Sequence, residues 1–242
     1  MMEKKGVLVV GSSNMDLVVT TNRFPDPGET VFGKNFEMFP GGKGANQAVC
    51  ASRLGCNTIF VGKMGEDDFR EKLSKTLAES DVDINNLLVD NKLHTGTALI
   101  TVDETGQNEI IVISGSNMNL TPVEIESRSE LFENISVVLT QLEIPIETVL
   151  MTAQLAKKNS ALFILNPAPV VSLPDSLYSL IDFITPNENE LELLSGIKIT
   201  NDQSVIEASK ILLNRSVKNV IVTLGDKGCM LVNNKTIKHF NA

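Results

Sequence analysis

The chain reads as an α/β protein: a doubly wound, mostly parallel sheet flanked by helices, with a small antiparallel β lid. Three observations predict this. Short β-branched runs alternate with stretches of helical spacing almost throughout the 242 residues, the pattern of a parallel sheet covered by helices on both faces. Hydrophobic residues make up 42% of the composition, enough for a chain of this length to bury a full core. Two segments, 16–40 and 97–114, break the alternation and are assigned to the lid.

The elements follow in order. The buried strands are expected at 7–10, 58–61, 137–140, 162–165, 183–184 and 220–224. Between the first two, residues 45–54 carry apolar side chains at helical spacing and stop at Gly55, a residue suited to a positive φ. The run 98–102 and the run 109–113 flank Asp103-Glu-Thr-Gly106 as a hairpin. Thr121-Pro-Val-Glu124 opens a helix, with Thr121 as N-cap, Pro122 at the first position and Glu124 reaching back. Residues 236–242 follow a turn at Asn233-Asn234 with no closing helix, and a strand on the sheet edge would suit them. The organisation expected is a core of residues 1–13, 41–94 and 115–242 and a lid of 14–40 and 95–114, the β segments serving as a cover over a reaction, a dimer surface, or both, or standing as a merely decorative hairpin.

Charge and composition exclude several classes. Twenty-one Lys and Arg against 30 Asp and Glu give a formal charge of −9. This repels phosphate backbones and anionic lipid, so no nucleic-acid or membrane partner is expected. The three cysteines, Cys50, Cys56 and Cys229, form no CxxC and lie at no zinc-like spacing, which suits free thiols in a reducing compartment. Before Gly11 the apolar run is four residues long, too short for a signal peptide or a membrane span. A cytoplasmic protein is the expectation.

The segment Pro40-Gly-Gly-Lys-Gly-Ala-Asn-Gln-Ala48 is a glycine loop turning straight into a helix. Such a segment points backbone N–H groups, an ammonium and an amide into one small space, which suits a polyhydroxylated or anionic ligand. It is not a Walker loop, because Lys43 is followed by Gly44 and no hydroxyl is available for magnesium. Nor is it a dinucleotide fingerprint, since the third glycine of that pattern would fall at Gln47.

Ligands of open α/β sheets collect beyond the carboxyl ends of the strands, so polar residues just after apolar runs are the candidates. Asn14 and Asp16 follow the first strand and could hold neighbouring hydroxyls, or could form an ordinary Asx turn. Lys43 and Asn46 could face the same ligand, with Asn46 equally an ordinary first-turn residue. Glu143 ends one strand run and Asn166 another, the alternatives being a solvated glutamate and a turn residue. Asn187 and Glu190 read either as N-cap and N3 of a helix or as groups at a phosphate and the water shell of its magnesium. Residues 223–228, Thr-Leu-Gly-Asp-Lys-Gly, could let a nucleotide lie against the main chain or could be a hairpin turn. His94 and His239 have no sequence neighbours to form a triad and are given no catalytic role.

Taken together, Gly11-Ser-Ser-Asn-Met-Asp16, Pro25-Asp-Pro-Gly-Glu-Thr30, Gly41-Gly-Lys-Gly-Ala-Asn-Gln-Ala48, Asn166-Pro-Ala-Pro169, Thr185-Pro-Asn-Glu-Asn-Glu190 and Thr223-Leu-Gly225 resemble the ribokinase and phosphofructokinase-B family of carbohydrate kinases. The resemblance implies the ribokinase-like fold and transfer of the ATP γ-phosphoryl group to the 5-hydroxyl of D-ribose. It implies a sugar site of Asn14, Met15, Asp16, Gly42, Lys43, Gly44, Ala45, Asn46 and Glu143. For ATP it implies Asn187, Thr223, Leu224, Gly225, Asp226, Lys227 and Gly228, with Glu190 at magnesium through water. It further implies Mg-ATP as donor, a monovalent cation (K+), and a homodimer paired through the lid. In that family the attacking hydroxyl loses its proton to an aspartate in a Gly-Ala-Gly-Asp-like motif, which these 242 residues do not contain. The expectation is a chain truncated before that motif, with its base beyond Ala242, and nearly inactive as it stands. Two readings compete: another sugar or nucleoside kinase of the family, and a non-catalytic module that binds sugar or nucleotide.

Overall fold

The computed structural model describes residues 6–242, and residues 1–5 of the N-terminal segment assigned to the core lie outside the described residues. In chain order the first part runs β1 (Gly6–Val10), β2 (Asn14–Thr20), β3 (Asn35–Gly41), α1 (Lys43–Arg53), β4 (Thr58–Val61), β5 (Lys63–Gly65), α2 (Asp68–Glu79), β6 (Val82–Asp83), β7 (Leu88–Asp90), β8 (Gly96–Val102) and β9 (Asn108–Ile113). It continues with α3 (Pro122–Glu126), β10 (Ile135–Thr140), α4 (Ile146–Lys158), β11 (Leu162–Leu165), α5 (Asp175–Tyr178), β12 (Phe183–Ile184), α6 (Glu188–Ser195), α7 (Asp202–Asn214), β13 (Asn219–Thr223), β14 (Cys229–Asn233) and β15 (Ile237–Phe240). The six expected strands all form, each within two residues of its expected bounds. The contacts divide the chain into two compact units, Met1–Val10 with Thr121–Ala242, and Gly11–Leu120. Residues 41–94, expected with the core, therefore group with the lid strands.

The first unit is built on a sheet whose strands run β1, β10, β11, β12 and β13 in parallel, followed by β14 and β15 antiparallel. Its parallel strands are apolar on both faces, as strands covered on both sides must be. Val9, Val138, Phe163, Leu165, Ile184, Val220 and Val222 are all fully buried. Helix α4 packs on β10 and β11, and α7 on β13 and β14. The register Thr140–Leu165–Ile184–Val220 aligns the carboxyl ends of β10, β11 and β12 with the start of β13, which runs on to Thr223. The expected edge strand at the C-terminal segment is β15, paired with β14.

The second unit centres on a four-stranded sheet ordered β3-β2-β8-β9. It is antiparallel within the pairs β2–β3 and β8–β9 and parallel where β2 meets β8. The tip of the expected hairpin at 103–106 is held by Asp103 Oδ1, which accepts from the backbone N–H groups of Thr105 and Gln107. Helix α1 packs on β4, and α2 against β2, β3 and β5, closing a core of Met15, Phe60, Met64, Leu73 and Leu77. Asp67 caps α2 and also accepts from the N–H and hydroxyl of Thr95, tying the helix start to the approach to β8.

Candidate sugar and nucleotide sites

In the second unit the sheet gathers residues that are far apart in sequence. Asn14 pairs in register with Gly41 on one side and Gly96 on the other. Alternation along a strand puts Asn14 and Asp16 on one face of β2 and Met15 on the other. Met15 is 1% exposed and belongs to the core on that opposite face, so its side chain does not share a surface with the two polar residues. The glycines here are spatial requirements. A Cβ at Gly42, whose φ is +90°, would stand 2.6 Å from the backbone nitrogen of Asn14 and from Ser13 Cα. At Gly41 it would collide with the Asp16 carboxylate. The glycine loop thus lies directly against the Asn14–Asp16 strand, which is how two segments more than twenty residues apart come to line one space.

Not every loop amide points at a ligand, as the sequence reading expected. Gly42 stands at the N-cap of α1 with no side chain to cap it. Ser12 does that work from the preceding strand connection, its hydroxyl accepting from Gly44 N–H at 3.2 Å and its carbonyl from Ala45 N–H at 2.8 Å. Gly44 and Ala45 are buried and committed to this cap, Lys43 is half-buried, and Asn46 is exposed one turn along. Asn14 is 4% exposed and is held by Asn117, itself 1% exposed. Asn117 Nδ2 donates to Asn14 Oδ1 at 2.7 Å and to the Ser13 carbonyl at 3.1 Å, while its Oδ1 accepts from Ser13 N–H at 3.0 Å.

In the first unit, the aligned carboxyl ends of the parallel strands collect Glu143, Asn166, Asn187 and Thr223 along one edge. Glu143 is half-buried in the bend after β10. Asn166 N–H donates to the Thr140 carbonyl, and its Oδ1 is buried without a hydrogen-bond partner. Asn187 forms a parallel bridge with Thr223, and Thr223 N–H donates to the Pro186 carbonyl at 3.0 Å, so these two candidates are neighbours. Strands β10 and β13 stand three spacings apart, about 14 Å.

The local structure that each alternative on this edge named is present. Asn187 and Glu190 make a reciprocal capping box on α6: Asn187 Oδ1 accepts from Glu190 N–H at 2.8 Å, and Glu190 Oε2 accepts from Asn187 N–H at 2.9 Å. Residues 224–228 form the turn joining β13 to β14, with Gly225 and Gly228 at φ of +61° and +90°. Asp226 and Lys227 are exposed and Leu224 is buried. His239, given no role from sequence, is carried onto this turn by the β14–β15 pairing and donates from Nε2 to the Lys227 carbonyl at 2.8 Å.

Among the described residues no group of three or more His, Cys, Asp or Glu could hold a metal ion, and no helix is long and apolar enough to cross a membrane. The capping box takes one oxygen of Glu190 and leaves Oε1. One carboxylate oxygen fits a hydrated magnesium ion brought in on phosphates, and does not amount to a direct protein cage. Sequence reasoning missed Ser12, Asn117 and His239. Each acts through a partner at least twelve residues away, and no local pattern marks such a contact.

The family model for pfkB family carbohydrate kinases matches residues 4–242. A ribokinase of Staphylococcus aureus is 38% identical over 98% of this chain and 78% of the relative. A deoxyribokinase of Salmonella typhi is 33% identical over 93% of this chain and 74% of the relative. Among solved structures, Arabidopsis thaliana ribokinase complexed with ribose and ATP superposes with a TM-score of 0.93 at 32% identity, covering 99% of this chain and 78% of the other.

Proposed function

The chain belongs to the pfkB family of carbohydrate kinases, and from that premise we infer that it phosphorylates D-ribose on the 5-hydroxyl with ATP as donor. The observation that carries the sugar half is the gathering of Asn14 and Asp16 on one strand face against the Gly41–Gly42 corner at the head of α1. A carboxylate only accepts hydrogen bonds and an ammonium only donates them, so Asp16, Lys43 and the Asn14 amide together can meet both roles of adjacent sugar hydroxyls. Gly42, Gly44 and Ala45 shape the wall, and Asn46 approaches from the helix. Relatives with the printed names ribokinase and deoxyribokinase support a pentose over a larger sugar.

On the nucleotide half, the reading assigns ATP to the turn of Thr223, Leu224, Gly225, Asp226, Lys227 and Gly228 beside Asn187. Magnesium, when bound, would neutralise phosphate charge, with Glu190 Oε1 at its water shell. Phosphoryl transfer asks the protein mainly to align donor and acceptor and to take one proton from the attacking hydroxyl. No residue of this chain is assigned as that base. The reading also includes a homodimer formed through the four-stranded sheet, a cytoplasmic setting, and a monovalent cation that rests on the family alone.

Calorimetry tests the assignment through binding, which does not depend on the base. Ribose should bind one to one, and Asp16→Asn should weaken it by about 10- to 100-fold, the value of a hydrogen bond to a charged group. Tighter binding of 2-deoxyribose, fructose or a nucleoside than of ribose would overturn the choice of substrate.

A further inference from the structure

We propose that Asn117 is a positioning residue of the sugar site: it fixes which end of the Asn14 amide faces the ligand, and so makes Asn14 a donor. The inference rests on the reading of Asn14 as a sugar ligand and adds to it what sets the direction of its hydrogen bond.

An asparagine amide can face either way, because its oxygen and nitrogen ends are nearly the same size. A backbone peptide cannot, since its N–H only donates and its C=O only accepts. Asn117 lies against both groups of Ser13, with Oδ1 on the N–H at 3.0 Å and Nδ2 on the carbonyl at 3.1 Å. Its orientation is therefore dictated by the polarity of the main chain. The second proton of Nδ2 then points to Asn14 Oδ1, 2.7 Å away. With its carbonyl end taken, Asn14 presents its NH2 end. Turning that amide around would set N–H against N–H at a buried site, the arrangement that costs most where water cannot intervene.

The glycine opposite supports the same conclusion. Gly96 pairs in register with Asn14, and a Cβ built on it would fall onto both Asn117 Nδ2 and Asn14 Oδ1. The bond between the two asparagines occupies the space a side chain at position 96 would take. Functionally, the result is complementarity within one strand face. Asp16 accepts the proton of a sugar hydroxyl, and the Asn14 donor meets the lone pair of the same or a neighbouring hydroxyl. A reversed Asn14 would place a second acceptor there and leave that lone pair facing oxygen.

The test compares sugars that differ by one hydroxyl. D-ribose and its 1-, 2- and 3-deoxy analogues are titrated by calorimetry into the wild-type chain, Asn117→Asp, Asn14→Ala and the double variant Asn14→Ala/Asn117→Asp, with thermal melts of each. Asn117→Asp removes the donor that orients Asn14 while keeping size. It should weaken ribose by about 10- to 100-fold while leaving one deoxy analogue nearly unchanged, so that discrimination against that analogue collapses. Asn14→Ala should erase discrimination against the same analogue, and adding Asn117→Asp to it should cost no further ribose affinity. Equal weakening of all four sugars, or unaltered discrimination, would overturn the positioning role. Failure of the wild-type chain to bind any of the four would instead strike the substrate reading beneath it. Should Asn117→Asp melt below the assay temperature, Asn117→Ser carries the same comparison.

Discussion

Asp182 is 2% exposed yet accepts hydrogen bonds from the ammonium groups of Lys157 and Lys218 and from Phe163 N–H. Burial pushes its carboxyl up, and the Lys157, Lys218 and Phe163 hydrogen bonds outweigh that and hold it below its ordinary value of 3.8. A carboxyl depressed in the folded state stabilises the fold above its unfolded pKa and loses that contribution as pH falls through the folded value. Asp182→Asn should therefore destabilise the chain by about 2 kcal/mol at pH 7, measured by denaturant unfolding, with the gap to wild type closing as pH is lowered below 3.8. A gap independent of pH would show that packing, not charge, is at work. Nothing in the sequence marked Asp182: it precedes a two-residue strand, and its lysines come from other elements. Asn14 and Asp16 could be picked out as candidates because they come soon after a strong strand, whereas the asparagine that holds Asn14 sits in an unremarkable Ser-Asn-Met-Asn run.

Helix starts divide sharply by whether their caps are local. Thr121–Glu124 and Asn187–Glu190 form the reciprocal boxes that their spacing suggests. Helix α1 begins on an uncapped glycine and depends on Ser12, so only the helix itself could be read. A substitution pair at α6 separates cap from ligand. Asn187→Ala should cost about 1 kcal/mol and Asn187→Ser only a small fraction of that, since serine caps nearly as well. If Asn187 also meets the nucleotide, both should weaken Mg-ATP binding by fluorescence titration. Retained affinity in the serine variant would leave the residue as a cap alone. The turn after β13 carries the same two readings, because a hairpin there uses the positive-φ glycines that an approaching phosphate would also need.

At the scale of the molecule, the strands and their classes were legible from β-branched runs, and the grouping into units was not, because grouping depends on which strands meet across long stretches of chain. The four-stranded sheet illustrates this: each antiparallel pair is local, and the parallel joint of β2 with β8 is not. Its register puts Phe36, Met38, Leu99 and Ile111 on one face, with Ile111 64% exposed. This is the face of Met15, and beyond the part that α2 covers its apolar side chains reach solvent, which suits the proposed pairing with a second copy. Ile111→Glu should shift a wild-type dimer to monomer in sedimentation velocity while leaving the melting temperature of the monomer within a few degrees; a wild-type chain that sediments as a monomer would sink the pairing. The asparagine bridge, meanwhile, ties positions 103 residues apart. Such a contact is late to form, because loop closure must come before it. Competence to hold a sugar hydroxyl should then emerge only when the chain has closed that loop, and a half-collapsed intermediate, however rich in strand, would be blind to its ligand.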